Sequence, residues 1–123
     1  MIKSNELMIG DWVYARINHP VQVVGITTDS IETTDKEGYF NEEFFDPIPL
    51  TLEILEKNGF ENRGAQFFCD NIGMIWWKDN IFMFSKYTRH EDLPTENISI
   101  NIGYVHELQH ALRLCKIEKE VVL

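Results

Sequence analysis

The sequence has few basic residues. Among its 123 residues, Lys and Arg number 11 while Asp and Glu number 20, which gives a formal net charge of −9. Such an excess of carboxylates repels phosphate backbones, and no cluster of Lys or Arg offsets it locally. The composition therefore predicts a protein that does not bind nucleic acid. Inhibition of a DNA-binding protein by an acidic, DNA-like surface is an alternative, although excess carboxylates more often serve solubility.

The sequence also lacks paired cysteines and long apolar runs. Cys69 and Cys115 stand far apart and outside any CxxC motif, so two reduced thiols are expected. No apolar run approaches the ~18 residues that a membrane span needs. The opening segment MIKSNELMIGDW has no apolar stretch of the kind found in signal peptides. We therefore expect a cytoplasmic protein without a membrane segment.

Short apolar segments and turn residues alternate through the first half of the chain. Turn residues at 17–20, 28–30 and 35–38 separate segments that are rich in β-branched and aromatic residues. The predicted strands are WVYAR, VQVVGIT and IETT, and the aromatic stretch YFNEEFF follows them. This spacing predicts a small, curled antiparallel sheet, for which an SH3-like barrel is a candidate arrangement.

The prolines of the segment PIPL end this strand pattern, because proline has no N–H to donate to a ladder. The next segment, TLEILEKNGF, predicts a short helix with recognisable ends. Thr51 is suited to cap the first N–H groups. Gly59 suits the left-handed position after the helix, where Phe60 would contact Leu55. Residues 46–50 are the candidate point of subdivision of the chain.

The second half predicts another sheet and a second helix. The strand candidates are GAQFFCD, GMIWWKD, NIFMFSK and ISINIG, and the helix candidate is YVHELQHALRLCK. Residues 87–97 are expected as an exposed loop, and the tail IEKEVVL is expected to pair at a sheet edge. The sequence thus predicts one α+β domain over residues 1–123, with a curled N-terminal sheet, two helices and a C-terminal sheet built on a hairpin.

His106, Glu107 and His110 match the H-E-x-x-H signature of zinc peptidases, in which the two histidines bind zinc and the glutamate activates water. A zinc-dependent hydrolase is therefore one interpretation. At ~100° per residue, however, both histidines lie opposite an apolar stripe that includes Leu108 and Leu112, so they are expected to face solvent. A third ligand is hard to find, and three fixed positions often match by chance. We expect no metal site and no catalytic residue here.

Four segments carry a resemblance to known sequences: MIKSNELMIGDWVY, PVQVVGI, DPIPLTLEILEKNGF and YVHELQHAL. Together they resemble a group of small uncharacterised proteins that are encoded in phage-like and mobile-element regions of gut bacterial genomes. The last motif of that group usually runs His-x-Leu-Gln-Asn. His106, Leu108 and Gln109 fit this motif, whereas Glu107 and His110 depart from it. The resemblance implies an accessory protein and supplies no catalytic residue.

An aromatic hairpin is expected around a two-residue turn at residues 79–80. Trp77 would then lie opposite Phe82 in the core, while Trp76 would lie opposite Met83 on the other, more mixed face. Exposed aromatic and Met side chains mark contact surfaces. Trp76 and Met83 are therefore the candidate contact residues for a second subunit or a foreign partner.

The sequence leaves the function open between classes. The leading interpretation is a non-enzymatic accessory or interaction protein of a phage or mobile element. It would need no cofactor and would act through contacts with an unidentified protein or with itself. A zinc-dependent hydrolase that uses HELQH and an acidic inhibitor of a DNA-binding protein are the alternatives.

Overall fold

Two antiparallel sheets and two α-helices make up the regular structure of the computed structural model, which describes residues 2–16, 18–64, 66–69, 72–76, 81–86 and 98–123. This content confirms the predicted α+β class. The chain divides into two compact units. The first comprises Met1–Pro49 and Tyr104–His110, and the second comprises Leu50–Gly103 and Ala111–Leu123.

The first unit contains a five-stranded meander. Its strands are β1 (Trp12–Arg16), β2 (His19–Ile26), β3 (Ser30–Thr33), β4 (Lys36–Asn41) and β5 (Asp46–Pro47). They follow the order β4-β3-β2-β1-β5 in the sheet, so β4 and β5 lie at its two ends. The turn residues between the apolar segments explain the order of β1 to β4, since short connections join antiparallel neighbours. The three predicted strands of this half are confirmed.

Strand alternation sends one set of side chains of this sheet inward. The buried apolar cluster consists of Ile2, Leu7, Val13, Val21, Val23, Ile31 and Phe45. β4 differs from its neighbours because all of its residues are exposed. Within the described strands it pairs with β3 alone, through Ser30–Asn41, Ile31–Phe40 and Thr33–Lys36. β4 is therefore an exposed edge strand.

The second unit begins with the helix that the sequence predicts. α1 spans Leu52–Lys57, and the Thr51 side chain accepts a hydrogen bond at 3.2 Å from a backbone N–H of the first turn. At the other end Gly59 has φ +86, and the N–H of Phe60 donates to the carbonyl of Leu55 at 3.0 Å. These bonds form a Schellman ending, so the predicted caps are confirmed.

A second five-stranded meander follows α1. Its strands are β6 (Glu61–Arg63), β7 (Gln66–Cys69), β8 (Ile72–Trp76), β9 (Phe82–Lys86) and β10 (Ile98–Ile102), in the order β10-β9-β8-β7-β6. The four predicted strands of this half are confirmed, and β6 is additional. The second predicted helix is confirmed as α2, which spans Val105–Leu114. Neither helix of the described residues is long and apolar enough to cross a membrane.

The tail after α2 forms no described strand, so the predicted pairing of IEKEVVL at a sheet edge is wrong. The buried side chain of Asn58 holds the tail instead. Its Nδ2 donates to the carbonyl of Val122 at 2.8 Å, and the N–H of Val122 donates to its Oδ1 at 2.8 Å. An amide side chain offers both a donor and an acceptor. Asn58 therefore bonds to both backbone groups of Val122, as a neighbouring strand would otherwise do.

The aromatic hairpin has a register different from the predicted one. Phe82 pairs with Trp76, where the prediction paired it with Trp77, and Met83 pairs with Ile75, where the prediction paired it with Trp76. Directly opposed residues share a face, and successive residues alternate between faces. Trp76 and Met83 therefore lie on opposite faces, and their predicted pairing is wrong. Trp77, the predicted core residue, lies outside the described residues.

Candidate functional site

A groove opens on the sheet of the first unit, with a volume of about 290 Å³. β1, β3, β4 and the segments after β3 and β4 supply its lining. The lining residues, which we call the aromatic groove, are Ala15, Arg16, Thr33, Asp35, Lys36, Phe40, Phe44 and Phe45. An engineered cavity of about 150 Å³ holds benzene. The aromatic groove is therefore large enough for a bulky aromatic side chain.

A 3₁₀ turn at Glu42–Phe44 shapes one wall of the groove. Asn41 precedes this turn, and its side-chain oxygen accepts a hydrogen bond from the N–H of Glu43 at 2.9 Å, as Asn does at helix starts. Beyond the turn Phe45 is 3% exposed, whereas Phe44 is 66% exposed. The turn thus directs one phenylalanine into the core and leaves its neighbour in solvent.

Glu42 anchors this turn to the N-terminal segment. Its Oε2 accepts a hydrogen bond from the N–H of Ser4 at 2.7 Å, and Lys3 Nζ lies 3.6 Å from its Oε1. The Ser4 hydroxyl donates to the carbonyl of Thr28 at 2.7 Å. The Ser4 N–H is the main cause that lowers the pKa of Glu42 below its usual range, and Lys3 acts in the same direction. The Glu42 carboxylate therefore supports the groove wall.

Exposed aromatic side chains lie on the edge strand β4 and in the turn that follows it. Phe40 is 40% exposed, and it pairs with the buried Ile31. Opposed residues share a face, so Phe40 lies on the face of the sheet that carries the core. Tyr39 is also exposed, and it lies on the other face because successive side chains alternate. Phe40 and Phe44 together give the groove an apolar surface that is open to solvent.

The lining of the groove is basic in an otherwise acidic chain. Arg16 and Lys36 line it, and neither forms an ion pair with another described residue. Asp35 is the one lining carboxylate, and its Oδ1 lies 3.3 Å from Nε2 of His19 without the geometry of a hydrogen bond. Two cations and one anion thus line a groove in a chain of net charge −9. Such a local excess of positive charge attracts carboxylates.

The histidines of the HELQH segment do not both face solvent, so this prediction is wrong. His106 is 5% exposed, and His110 is half-buried. A helical wheel locates the apolar stripe of α2, but it cannot show that a polar side is covered as well. Here the polar side of α2 forms hydrogen bonds with residues 10–12.

Gln109 makes two of these bonds. Its Oε1 accepts from the N–H of Trp12 at 2.8 Å, and its Nε2 donates to the carbonyl of Gly10 at 2.9 Å. Gln109 is itself buried. One side chain thus satisfies two backbone groups that would otherwise be costly to bury.

Asp11 makes the neighbouring contact with α2. It is fully buried, its Oδ2 accepts from the N–H of Met8 at 2.8 Å, and the same oxygen lies 2.5 Å from Nε2 of His110. We call Gly10, Asp11, Trp12, Gln109 and His110 the polar junction. The junction joins the GDW segment near the N-terminus to the LQH segment of α2, which are far apart in the sequence.

The other two residues of the zinc signature, His106 and Glu107, lie in the first turn of α2. Glu107 Oε1 accepts from the N–H of Tyr104 at 3.1 Å, as a glutamate does in a capping box. His106 stacks on Tyr104 with ring centroids 5.9 Å apart and meets His110 edge-on at 5.6 Å. Burial lowers the pKa of His106, against the opposing effect of the Glu107 and Asp11 carboxylates. Its Nδ1 is buried without a hydrogen-bond partner among the described residues.

This geometry does not fit a zinc peptidase. Glu107, which would activate water, caps the helix instead, and Nε2 of His110 is already engaged by Asp11. In the part of the chain that the structure describes, no group of three or more His, Cys, Asp or Glu is arranged to hold a metal ion. The HELQH segment instead makes contacts that hold the fold together.

The structure does not bring the two predicted contact residues together. Trp76 is 46% exposed at the end of β8, on the face that carries the buried Met74 and Phe84. Met83 is half-buried on the opposite face. The premise of one shared surface is therefore wrong, and a partner contact by either residue alone stays a prediction.

The aromatic groove was not predicted from the sequence. A signal was present, because Asn41 stands two residues before Glu43 and such side chains often bond to the backbone two residues on. That bond interrupts the alternation just before Phe44 and Phe45. Arg16 and these residues lie far apart in the sequence, and their convergence in the groove gave no signal.

No family model matches this chain, and no solved structure matches it. Over 68 residues, which are 53% of the chain, it is 24% identical to the liver form of glycogen phosphorylase from Ovis aries, and the figures for Bos taurus are the same. The match spans 8% of the length of those enzymes. This local likeness is too limited to show a family.

Proposed function

We propose that this chain is a non-enzymatic accessory protein of a phage or mobile element, and that it acts through a protein contact at the aromatic groove. The mobile-element part rests on the resemblance carried by the four segments quoted above. The contact part rests on one observation, which is that aromatic and cationic side chains are exposed together around an open groove of about 290 Å³.

The exposed aromatic residues support a contact because their exposure has an energetic cost that a partner would remove. Burial of apolar surface contributes roughly 25 cal/mol per Å². Phe40 and Phe44 both leave a large part of their surface in solvent. Apolar patches rimmed by polar residues mark contact sites, and aromatic and Arg side chains dominate their binding energy. Arg16 provides such a side chain in the groove.

The edge strand adds a second means of contact. An edge strand presents unpaired N–H and C=O groups to which another strand can add. β4 starts at Lys36, and a lysine on an edge strand limits uncontrolled pairing. The edge and the adjoining groove together favour one defined segment of a partner over general aggregation.

The polar groups that could take part in catalysis support a non-enzymatic role, because most of them form hydrogen bonds within the protein. Asp11 and His110 engage each other, Glu107 caps α2, and Glu42 holds the N-terminal segment. General acid or base catalysis needs a group within hydrogen-bond reach of a bound substrate. The fully buried Asp11 does not offer that reach.

Affinity purification from cells that carry the gene tests this proposal. The tagged baits are the wild type, Phe44→Ser, and the control Leu114→Ser, which alters a residue of similar exposure at 62% against 66%. We expect a partner to be recovered with the wild type and the control, and to fall at least about tenfold, or 1.4 kcal/mol, with Phe44→Ser. Equal recovery by all three baits, or no specific partner, would contradict the proposal.

A further inference from the structure

We infer that the aromatic groove selects an extended segment of a foreign protein in which a large aromatic side chain stands next to carboxylates. This inference rests on the proposed function and names the chemistry of its partner. Three features of the groove carry it: the charge of its lining, its size and walls, and the exposed strand beside it.

The charge of the lining favours carboxylates. Arg16 and Lys36 have no ion-pair partner among the described residues, while Asp35 has His19 beside it. An acidic segment docked here would supply partners for both cations. Elsewhere the chain's net charge of −9 repels such a segment, so the groove would also fix where it binds. Complementary charges give specificity and speed of association more than affinity.

The size and walls of the groove favour an aromatic side chain. Its volume of about 290 Å³ is roughly twice that of the engineered cavity that holds benzene. Phe40, Phe44 and Phe45 line it. Aromatic rings prefer offset or edge-to-face contacts with one another, and three rings around one space offer such contacts. The partly polar rim would accept the polar edge of a Trp or Tyr.

The edge strand favours an extended backbone. A segment that pairs with β4 would place alternate side chains over the sheet face that carries Phe40, next to the groove. A second copy of this chain is a poorer occupant. Two chains of net charge −9 repel each other.

Fluorescence anisotropy with short labelled peptides tests this inference. One peptide carries a central Trp flanked by Glu, a second replaces the Glu residues by Lys, and a third replaces the Trp by Ala. We expect the Glu–Trp peptide to bind at least about tenfold more tightly than either relative. The double variant Arg16→Gln/Lys36→Gln should remove the preference for Glu over Lys. Lys116→Gln, an exposed lysine of the second unit, is the control and should retain it.

The outcomes separate this inference from the proposed function. Binding that does not distinguish the three peptides overturns the chemistry named here, even where Phe44→Ser still loses the cellular partner. Absence of peptide binding overturns it as well. A dimer in analytical ultracentrifugation that Phe44→Ser dissolves would show that a second copy occupies the groove, and would overturn the foreign segment.

Discussion

The polar junction and the aromatic groove belong to the same unit, yet they use charged and aromatic residues in opposite ways. In the junction, Asp11 and Gln109 are buried, and hydrogen bonds to the backbone and to His110 satisfy them. In the groove, Phe44 and Lys36 are exposed. Burial with partners indicates a structural role, whereas exposure of aromatic and cationic side chains together indicates a contact surface.

The comparison shows why a sequence motif alone misleads here. HELQH has the residue types of a catalytic site, but Glu107, Gln109 and His110 form hydrogen bonds that stabilise the fold. YFNEEFF has no catalytic pattern, but its aromatic side chains remain available.

Replacement of Gln109 by Ala should have the largest effect on stability. It removes the side-chain partner of the Trp12 N–H and one partner of the Gly10 carbonyl. The Gly10 carbonyl keeps the hydrogen bond from Gln22 Nε2 at 3.2 Å, so the loss falls mainly on the Trp12 N–H. We expect a loss of roughly 1–3 kcal/mol in urea unfolding. Gln66→Ala, at an exposed glutamine, is the control and should stay within about 0.5 kcal/mol. Similar values for both variants would contradict a structural junction.

Acidification should weaken the fold through His106. Burial lowers its pKa in the folded protein below the ordinary value of 6.5, while the unfolded chain keeps that value. The unfolded state therefore binds more protons, and the stabilising contribution, full above pH 6.5, is lost as pH falls toward the folded pKa. The free energy of unfolding in urea should decline less with falling pH in His106→Gln than in the wild type. An unchanged decline in His106→Gln would show that burial of this imidazole is not its cause.

Phe44→Ser should change stability little, because the side chain is 66% exposed. We expect a change within about 0.5 kcal/mol in urea unfolding, close to that of Leu114→Ser. A loss of more than about 2 kcal/mol would place Phe44 in the core and would remove the contrast with the polar junction.

The purified protein should hold no stoichiometric zinc, because Glu107 and His110 are engaged in the fold. Elemental analysis after exposure to zinc and dialysis measures this directly. About one zinc per chain, lost in both His106→Gln and His110→Gln, would contradict the structural interpretation of HELQH.

Local signals made β1–β3, β7–β10 and α1 predictable. Thr51 and Gly59 mark the ends of α1 through bonds made within a few residues, and short turns set the order of the meanders. β6 was missed because its three residues, Glu61–Arg63, are polar and all exposed, so they show no alternation.

Non-local features were not predictable. The hairpin register depended on an assumed two-residue turn, and the slip by one residue moved Trp76 to the other face relative to Met83. The polar side of α2 is covered because Gln109 forms hydrogen bonds with Gly10 and Trp12, which lie nearly a hundred positions away in the sequence. Periodicity reports the apolar side of a helix, and it carries no information about distant polar partners.

Site-specific photo-cross-linking in cells that carry the gene tests whether the aromatic groove contacts a foreign protein. A benzophenone-bearing phenylalanine analogue is placed at position 44 in the groove, and at position 114 as the equally exposed control. We expect a cross-link to a foreign protein at position 44 and none at position 114. Cross-links at position 114 alone, or at neither position, would contradict the assignment of the aromatic groove as the contact site.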